Sequence, residues 1–252
     1  MDDMEENEMQ AVLYIGHGSR VTEGREQAVQ MIERAIQSIH VPIQEICFLE
    51  LASPTILEGV KHCVERGATK IAVVPVLLLT ATHAKKDIPL EIEKAKKRYP
   101  HIQFDYGKPF GVHPKIIDSL MDRVNEKKVD IKADAMVLLV GRGSRDPDVK
   151  RDLTKIAQLL HEKHPFKKVN ICFLTAAKPS FEEGLQCAKQ SKHKQVFVLP
   201  YLLFTGILMK GIVKTIQQLN SEKQQFILCD SLGYHPHLLD VLLERVQQLT
   251  DG

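Results

Sequence analysis

The 252-residue sequence has five cysteines (Cys47, Cys63, Cys172, Cys187 and Cys229) but no Cys-x-x-Cys pair. Neither a zinc knuckle nor an iron–sulfur cluster is therefore signalled. Cys47 and Cys172 sit inside apolar runs, where a thiol serves as core packing. No apolar run approaches the roughly twenty residues a membrane span needs. The opening residues, Met1-Asp-Asp-Met-Glu-Glu, are acidic where a secretory signal would be basic. Both observations predict a cytoplasmic protein without a membrane partner. A formal net charge of only +2 argues against nucleic acid as a partner. There is no Gly-x-x-x-x-Gly-Lys-Ser/Thr phosphate loop and no low-complexity tract. With 44% hydrophobic and 26% charged residues, what remains is an ordinary globular chain.

The chain contains itself twice. Leu13-Tyr-Ile-Gly-His-Gly-Ser-Arg20 returns as Leu138-Leu-Val-Gly-Arg-Gly-Ser-Arg145, and the spacing of 125 positions (16 to 141) also relates Phe48 to Phe173 and Pro75 to Pro200. Gly111-Val-His-Pro114 matches Gly233-Tyr-His-Pro236 at a spacing of 122 (111 to 233), so three positions are lost between. Self-similarity on this scale is a duplicated domain. The charged stretch Asn125 to Ala133 is the hinge, which predicts domains at residues 1–128 and 129–252, each large enough to bury its own core.

Each copy alternates strand and helix. In the first, strands are expected at Ala11–Gly16, Ile43–Leu49, Lys70–Leu79 and Ile102–Tyr106. The helices expected between and after them run from Thr22 to Ile39, from an N-cap at Ser53-Pro54 to Arg66, from Lys85 to Tyr99, and from His113-Pro114 onward. The second copy repeats the pattern. Strands apolar on both faces and alternating with helices predict an α/β fold of two tandem, duplicated, flavodoxin-like domains, each a four-stranded parallel sheet flanked by helices. A ligand would then sit outside the carboxyl ends of the strands, in a cleft between the domains.

That rule selects the loops where the copies disagree. After the first three strands come His17, Glu50 and His83, and at the same spacing the second copy has Arg142, Thr175 and Leu208. Residues leaving three adjacent strands about 4.8 Å apart can converge on one mouth. Imidazoles suit borderline divalent metals and, with only two protein nitrogens, leave most coordination positions open. Glu50 lies between the apolar runs Ile46–Leu49 and Leu51-Ala52, a setting expected to desolvate a carboxylate and suit it to accept protons. His113 and His235 occur in both copies directly before a proline and read as helix-start residues. A histidine phosphatase would need an Arg before its nucleophilic His, where this chain has Gly16.

Ile15-Gly-His-Gly-Ser-Arg20, Glu50, the run Val74-Pro-Val-Leu-Leu-Leu-Thr-Ala-Thr-His83-Ala-Lys-Lys-Asp-Ile-Pro89 and Phe204-Thr-Gly-Ile-Leu-Met-Lys210 together resemble the sirohydrochlorin ferrochelatase and cobaltochelatase family in its long two-domain form. The resemblance runs from about Ala11 to about Val246 and implies a type II chelatase. Such an enzyme inserts Fe²⁺ into sirohydrochlorin without ATP or a resident cofactor, releasing two pyrrole protons. It implies His17 and His83 as metal contacts and Glu50 as the acidic residue, all three being catalytic. For an octacarboxylate substrate, basic and hydroxyl candidates are Ser19, Arg20, Lys85 and Lys86 from the first copy and Arg142, Ser144, Arg145 and Lys210 from the second. Cobalt or nickel insertion, and a non-catalytic metal or tetrapyrrole carrier with no use for Glu50, are the competing expectations. The absence of a His-rich tail favours iron, and a chain carrying both domains is expected to work as a monomer.

Overall fold

The structure is a computed structural model that describes residues 8–219 and 224–251. Its elements follow the repeat. The first copy runs β1 (Gln10–Gly16), α1 (Thr22–Ser38), β2 (Ile43–Phe48), α2 (Ile56–Glu65), β3 (Lys70–Pro75), a π turn (His83–Asp87), α3 (Ile88–Arg98), β4 (Gln103–Tyr106) and α4 (Pro114–Asn125). The second runs β5 (Met136–Gly141), α5 (Pro147–Lys163), β6 (Lys168–Phe173), α6 (Phe181–Gln190), β7 (Gln195–Tyr201), α7 (Ile207–Gln217), β8 (Gln225–Leu228) and α8 (Pro236–Thr250).

The strands form two all-parallel sheets, ordered β2-β1-β3-β4 and β6-β5-β7-β8. This is the flavodoxin-like order up to its fourth strand. The chain leaves β1 in one direction for β2 and returns on the other side as β3, so the crevice between the ends of β1 and β3 is the switch point where such sheets bind ligands. The central strands are buried on both faces: Ala11 to Ile15 in β1 and Met136 to Val140 in β5 are at most 1% exposed. A continuous apolar run therefore suits these positions better than an alternating one.

Two expected boundaries are corrected. The second helix does not start at Ser53-Pro54, which is a cis peptide; its N-cap is Thr55, whose hydroxyl accepts from the Glu58 N–H while the Glu58 carboxylate accepts from the Thr55 N–H. This reciprocal capping box satisfies two donors at once, an advantage Ser53 does not have. The third strand ends at Pro75, not Leu79, because its neighbours β1 and β4 have ended there and the chain turns out of the sheet.

By contacts the chain forms two compact units: Met1–Arg20, Ala28–Phe110 and Leu242–Gly252 in one, Val21–Gln27 and Gly111–Val241 in the other. These differ from the sequence division at 128/129, because the last helix of each copy is held by residues of the other. Within the first unit Arg245 of α8 donates to the carbonyls of Pro109 (3.0 Å) and Phe110 (2.7 Å). Within the second, Arg123 of α4 donates to the Leu232 carbonyl and Lys127 pairs with Asp230 at 2.8 Å.

Candidate active site

His17 and Glu50 are brought together by backbone. Beyond β1 the chain passes through Gly18 at φ +93°, and a Cβ built there would lie 1.7 Å from the Glu50 carbonyl oxygen. The loop thus rests on the Glu50 main chain, and the N–H groups of Leu49 and Glu50 donate to the carbonyls of Gly16 (2.9 Å) and His17 (3.1 Å). Only glycine permits both the dihedral and the approach. The outcome is His17 Nε2 3.4 Å from Glu50 Oε1. The second copy repeats the scaffold, with Gly143 at φ +91°, a Cβ position 1.9 Å from the Thr175 oxygen, and the Thr175 N–H on the Arg142 carbonyl at 2.9 Å. The frame was copied, while its two side chains became Arg142 and Thr175.

Glu50 is not desolvated as its neighbours in sequence suggest. Its side chain is 46% exposed, and Leu51 beside it, at φ +61°, is itself exposed. The chain has left β2 by this point and turns along the sheet's rim, so apolar neighbours in sequence are not neighbours in space.

His83 opens the π turn. There the Ile88 N–H bonds to the His83 carbonyl, five residues back. The Ala84 carbonyl loses its ordinary helical donor in this arrangement, and Pro89 has no N–H to offer in its place. The Tyr106 hydroxyl at the end of β4 donates to it instead, at 2.8 Å. Such turns are single-residue insertions into helices, found often at functional sites. The burial pattern shows the insertion: the buried pair Ile88 and Ile92 of α3 matches the buried pair Ile212 and Ile216 of α7, one residue closer in sequence than the 125-position offset of the preceding strands. Tyr106→Phe should leave the Ala84 carbonyl without this donor and destabilise the protein by about 1 kcal/mol, read as a shift in the urea midpoint.

The protons can be assigned. His17 Nδ1 lies 3.1 Å from the Gly18 carbonyl and His83 Nδ1 lies 2.7 Å from Asp87 Oδ2. A carbonyl or carboxylate oxygen only accepts, so each ring carries its proton on Nδ1 and, when neutral, keeps its Nε2 lone pair for another partner. The rings meet edge to face with centroids 4.9 Å apart, and one donor atom from each of His17, Glu50 and His83 lies within 4.8 Å of the others. With both rings neutral, two imidazole Nε2 atoms and a carboxylate therefore face one rim. Ligands on a tetrahedral ion with bonds of about 2.1 Å are roughly 3.4 Å apart, so His17 Nε2 and Glu50 Oε1 are already spaced to share a cation.

A second group of the same composition, Asp122, His235 and His237, behaves differently. His235 Nδ1 accepts the His237 N–H at 3.3 Å, as His113 accepts from Lys115 at 3.2 Å at the start of α4. Its proton is then on Nε2, directed at Asp122 Oδ2 3.3 Å away. Burial, with Arg123 nearby, holds the His235 pKa below its usual value and keeps the ring neutral. The positive end of α8 and Arg123 also oppose a cation here. Accordingly, His237→Ala should leave Co²⁺ affinity unchanged, whereas His83→Ala should lower it at least about tenfold, the minimum cost of disturbing a ligand's support. Calorimetric titration distinguishes the two.

The basic candidates divide by surroundings. Arg20, Lys85 and Lys86 are exposed near the first unit's rim, with Ser19 half-buried beside Arg20. In the second unit Arg142, Arg145 and Lys210 are exposed, while the Ser144 hydroxyl already accepts the Asp146 N–H at 3.0 Å in the turn leading to α5. Sequence reasoning missed Asp87 and Tyr106. The signal for Asp87 was its place four residues after His83.

Fold and rim together define a duplicated α/β protein whose leading copy alone, among the described residues, brings two imidazoles and a carboxylate together at the ends of its strands. The CbiX family model matches residues 11–127 and again 136–249, and the chain belongs to that family. A sirohydrochlorin ferrochelatase of Priestia megaterium is 59% identical over 241 residues, covering 96% of this chain and 91% of its own length. A sirohydrochlorin cobaltochelatase of the same organism is 36% identical over 249 residues, covering 97% of this chain and 81% of its own. The solved structure described as SirB from Bacillus subtilis with Fe3+ aligns with a TM-score of 0.89 at 45% identity, covering 96% of each chain.

Proposed function

We propose that this chain is a sirohydrochlorin ferrochelatase: it places Fe²⁺ in the macrocycle and releases two pyrrole protons, without ATP or a resident cofactor. The carrying observation is the convergence of two imidazole Nε2 lone pairs with the Glu50 carboxylate. His17 and His83 hold the incoming ion and Glu50 takes a proton from a pyrrole nitrogen. His17, 3.4 Å from Glu50, is placed to pass that proton outward once it has released the metal. Two neutral nitrogens and one carboxylate leave about half of a six-coordinate ion's positions open for the macrocycle, so transfer does not require stripping a closed cage. Ser19, Arg20 and Lys85 on the first unit, and Arg142, Ser144, Arg145 and Lys210 on the second, are the proposed contacts for substrate carboxylates.

Iron is favoured over cobalt by the higher identity to the ferrochelatase relative, 59% against 36%. A monomer working in the cytoplasm completes the proposal, supported by two copies in one chain and five unpaired cysteines. Purified protein incubated anaerobically with sirohydrochlorin and Fe²⁺, Co²⁺ or Ni²⁺ in turn, followed by the absorption change of the macrocycle, tests it. Catalysed insertion, fastest with Fe²⁺, is expected. Tight tetrapyrrole binding with no acceleration of insertion would make the chain a carrier instead.

A further inference from the structure

We propose that Asp87 is a positioning residue that sets His83 as the stronger of the two metal-holding histidines; this deepens the chelatase reading and rests on it. Asp87 Oδ2 accepts from His83 Nδ1–H at 2.7 Å, the length of a charge-assisted bond. The bond fixes the tautomer, holds the ring's orientation and increases its electron donation to an ion at Nε2. His17 has a neutral partner in the corresponding place, the Gly18 carbonyl at 3.1 Å. The two imidazoles are therefore unequal ligands: His83 retains the ion, and His17, beside Glu50, is the one that lets go.

Three further observations bear on this. His83 and Asp87 are 30% and 41% exposed, and an ion pair that open contributes little to folding, so stability does not account for it. The pair exists only in the leading copy. Matching Ile88 to Ile212 sets Ile207 and Gly211 where His83 and Asp87 stand, and the strand offset of 125 sets Leu208 and Ile212 there, so neither alignment leaves a histidine or a carboxylate. Finally, the one-residue π insertion that carries both groups is supported by Pro89 and by the Tyr106 hydroxyl, and the position matching Tyr106 at the later offset of 122 is Leu228. The insertion, its support, the histidine and its carboxylate are all confined to one copy.

The test is Co²⁺ titration of the full-length chain without tetrapyrrole, followed by calorimetry and by the visible d–d bands of bound cobalt, alongside thermal melting. Asp87→Ala should weaken Co²⁺ binding about 10- to 100-fold and alter the bands, with the melting midpoint unchanged. Asp87→Asn, which keeps an acceptor and loses the charge, should fall between Ala and the unaltered protein. Glu91→Ala removes the next carboxylate of the same helix, paired with Lys94 at 2.6 Å, and should change nothing. Unaltered affinity in Asp87→Ala while His83→Ala loses binding would overturn the proposal and leave the chelatase reading intact. So would equal losses in Asp87→Ala and Glu91→Ala, or a loss that tracks a lowered melting midpoint. Unaltered affinity in His83→Ala would instead remove the site reading itself.

Discussion

Glu50→Gln is expected to slow metal insertion about 10²-fold or more while leaving tetrapyrrole affinity close to that of the unaltered protein. The substitution keeps the side chain's shape and its backbone bond to His17 and removes the ability to take up a proton. Glu50 is 46% exposed, so an amide there leaves no buried charge unpaired, and misfolding is not a competing explanation. Loss of metal entry alone would appear as a raised requirement for Fe²⁺; loss of a base appears as a lower rate at saturating metal. Stopped-flow insertion over a range of Fe²⁺ concentrations separates the two, and an unaltered saturated rate would take Glu50 out of the proton transfer.

Gly18→Ala should be comparably damaging without touching any reacting group. The added methyl would lie 1.7 Å from the Glu50 carbonyl oxygen, so the loop after β1 and the end of β2 must part by more than an ångström. His17 and Glu50 would be separated with them, and a displacement of about 1 Å is enough to cost roughly 10²-fold in rate. Gly67→Ala is the control: its φ of +92° is equally unsuited to alanine, yet nothing lies within 4 Å of the new methyl. That variant should lose about 1 kcal/mol of stability and none of its insertion rate. If both variants insert at the normal rate, the packing of Gly18 on Glu50 does not position the site.

Much of this architecture is written in the repeat. Once the glycine loops and prolines align at a fixed spacing, two sheets of one strand order follow, and the rule for parallel sheets puts His17, Glu50 and His83 at one rim. The π turn was hidden because one residue inserted in an amphipathic helix leaves a regular pattern on either side: Ile88, Ile92 and Ala95 read as helix whatever precedes them. The exposure of Glu50 depends on the left-handed turn at Leu51, which its apolar neighbours do not announce. The exchange of terminal helices was equally silent, since the apolar stripe of α4 or α8 records that a sheet covers it but not which one. Arg123 and Arg245 hold these helices in place through backbone carbonyls, partners that carry no side-chain signature in the sequence.

The most direct test is to locate a bound ion by anomalous scattering from a crystal of this protein soaked in Co²⁺. A peak within bonding distance, about 2.1 Å, of an imidazole nitrogen of His17 and of His83 and near a Glu50 carboxylate oxygen is the predicted result. A peak at Asp122, His235 and His237 with none at the first rim would contradict it.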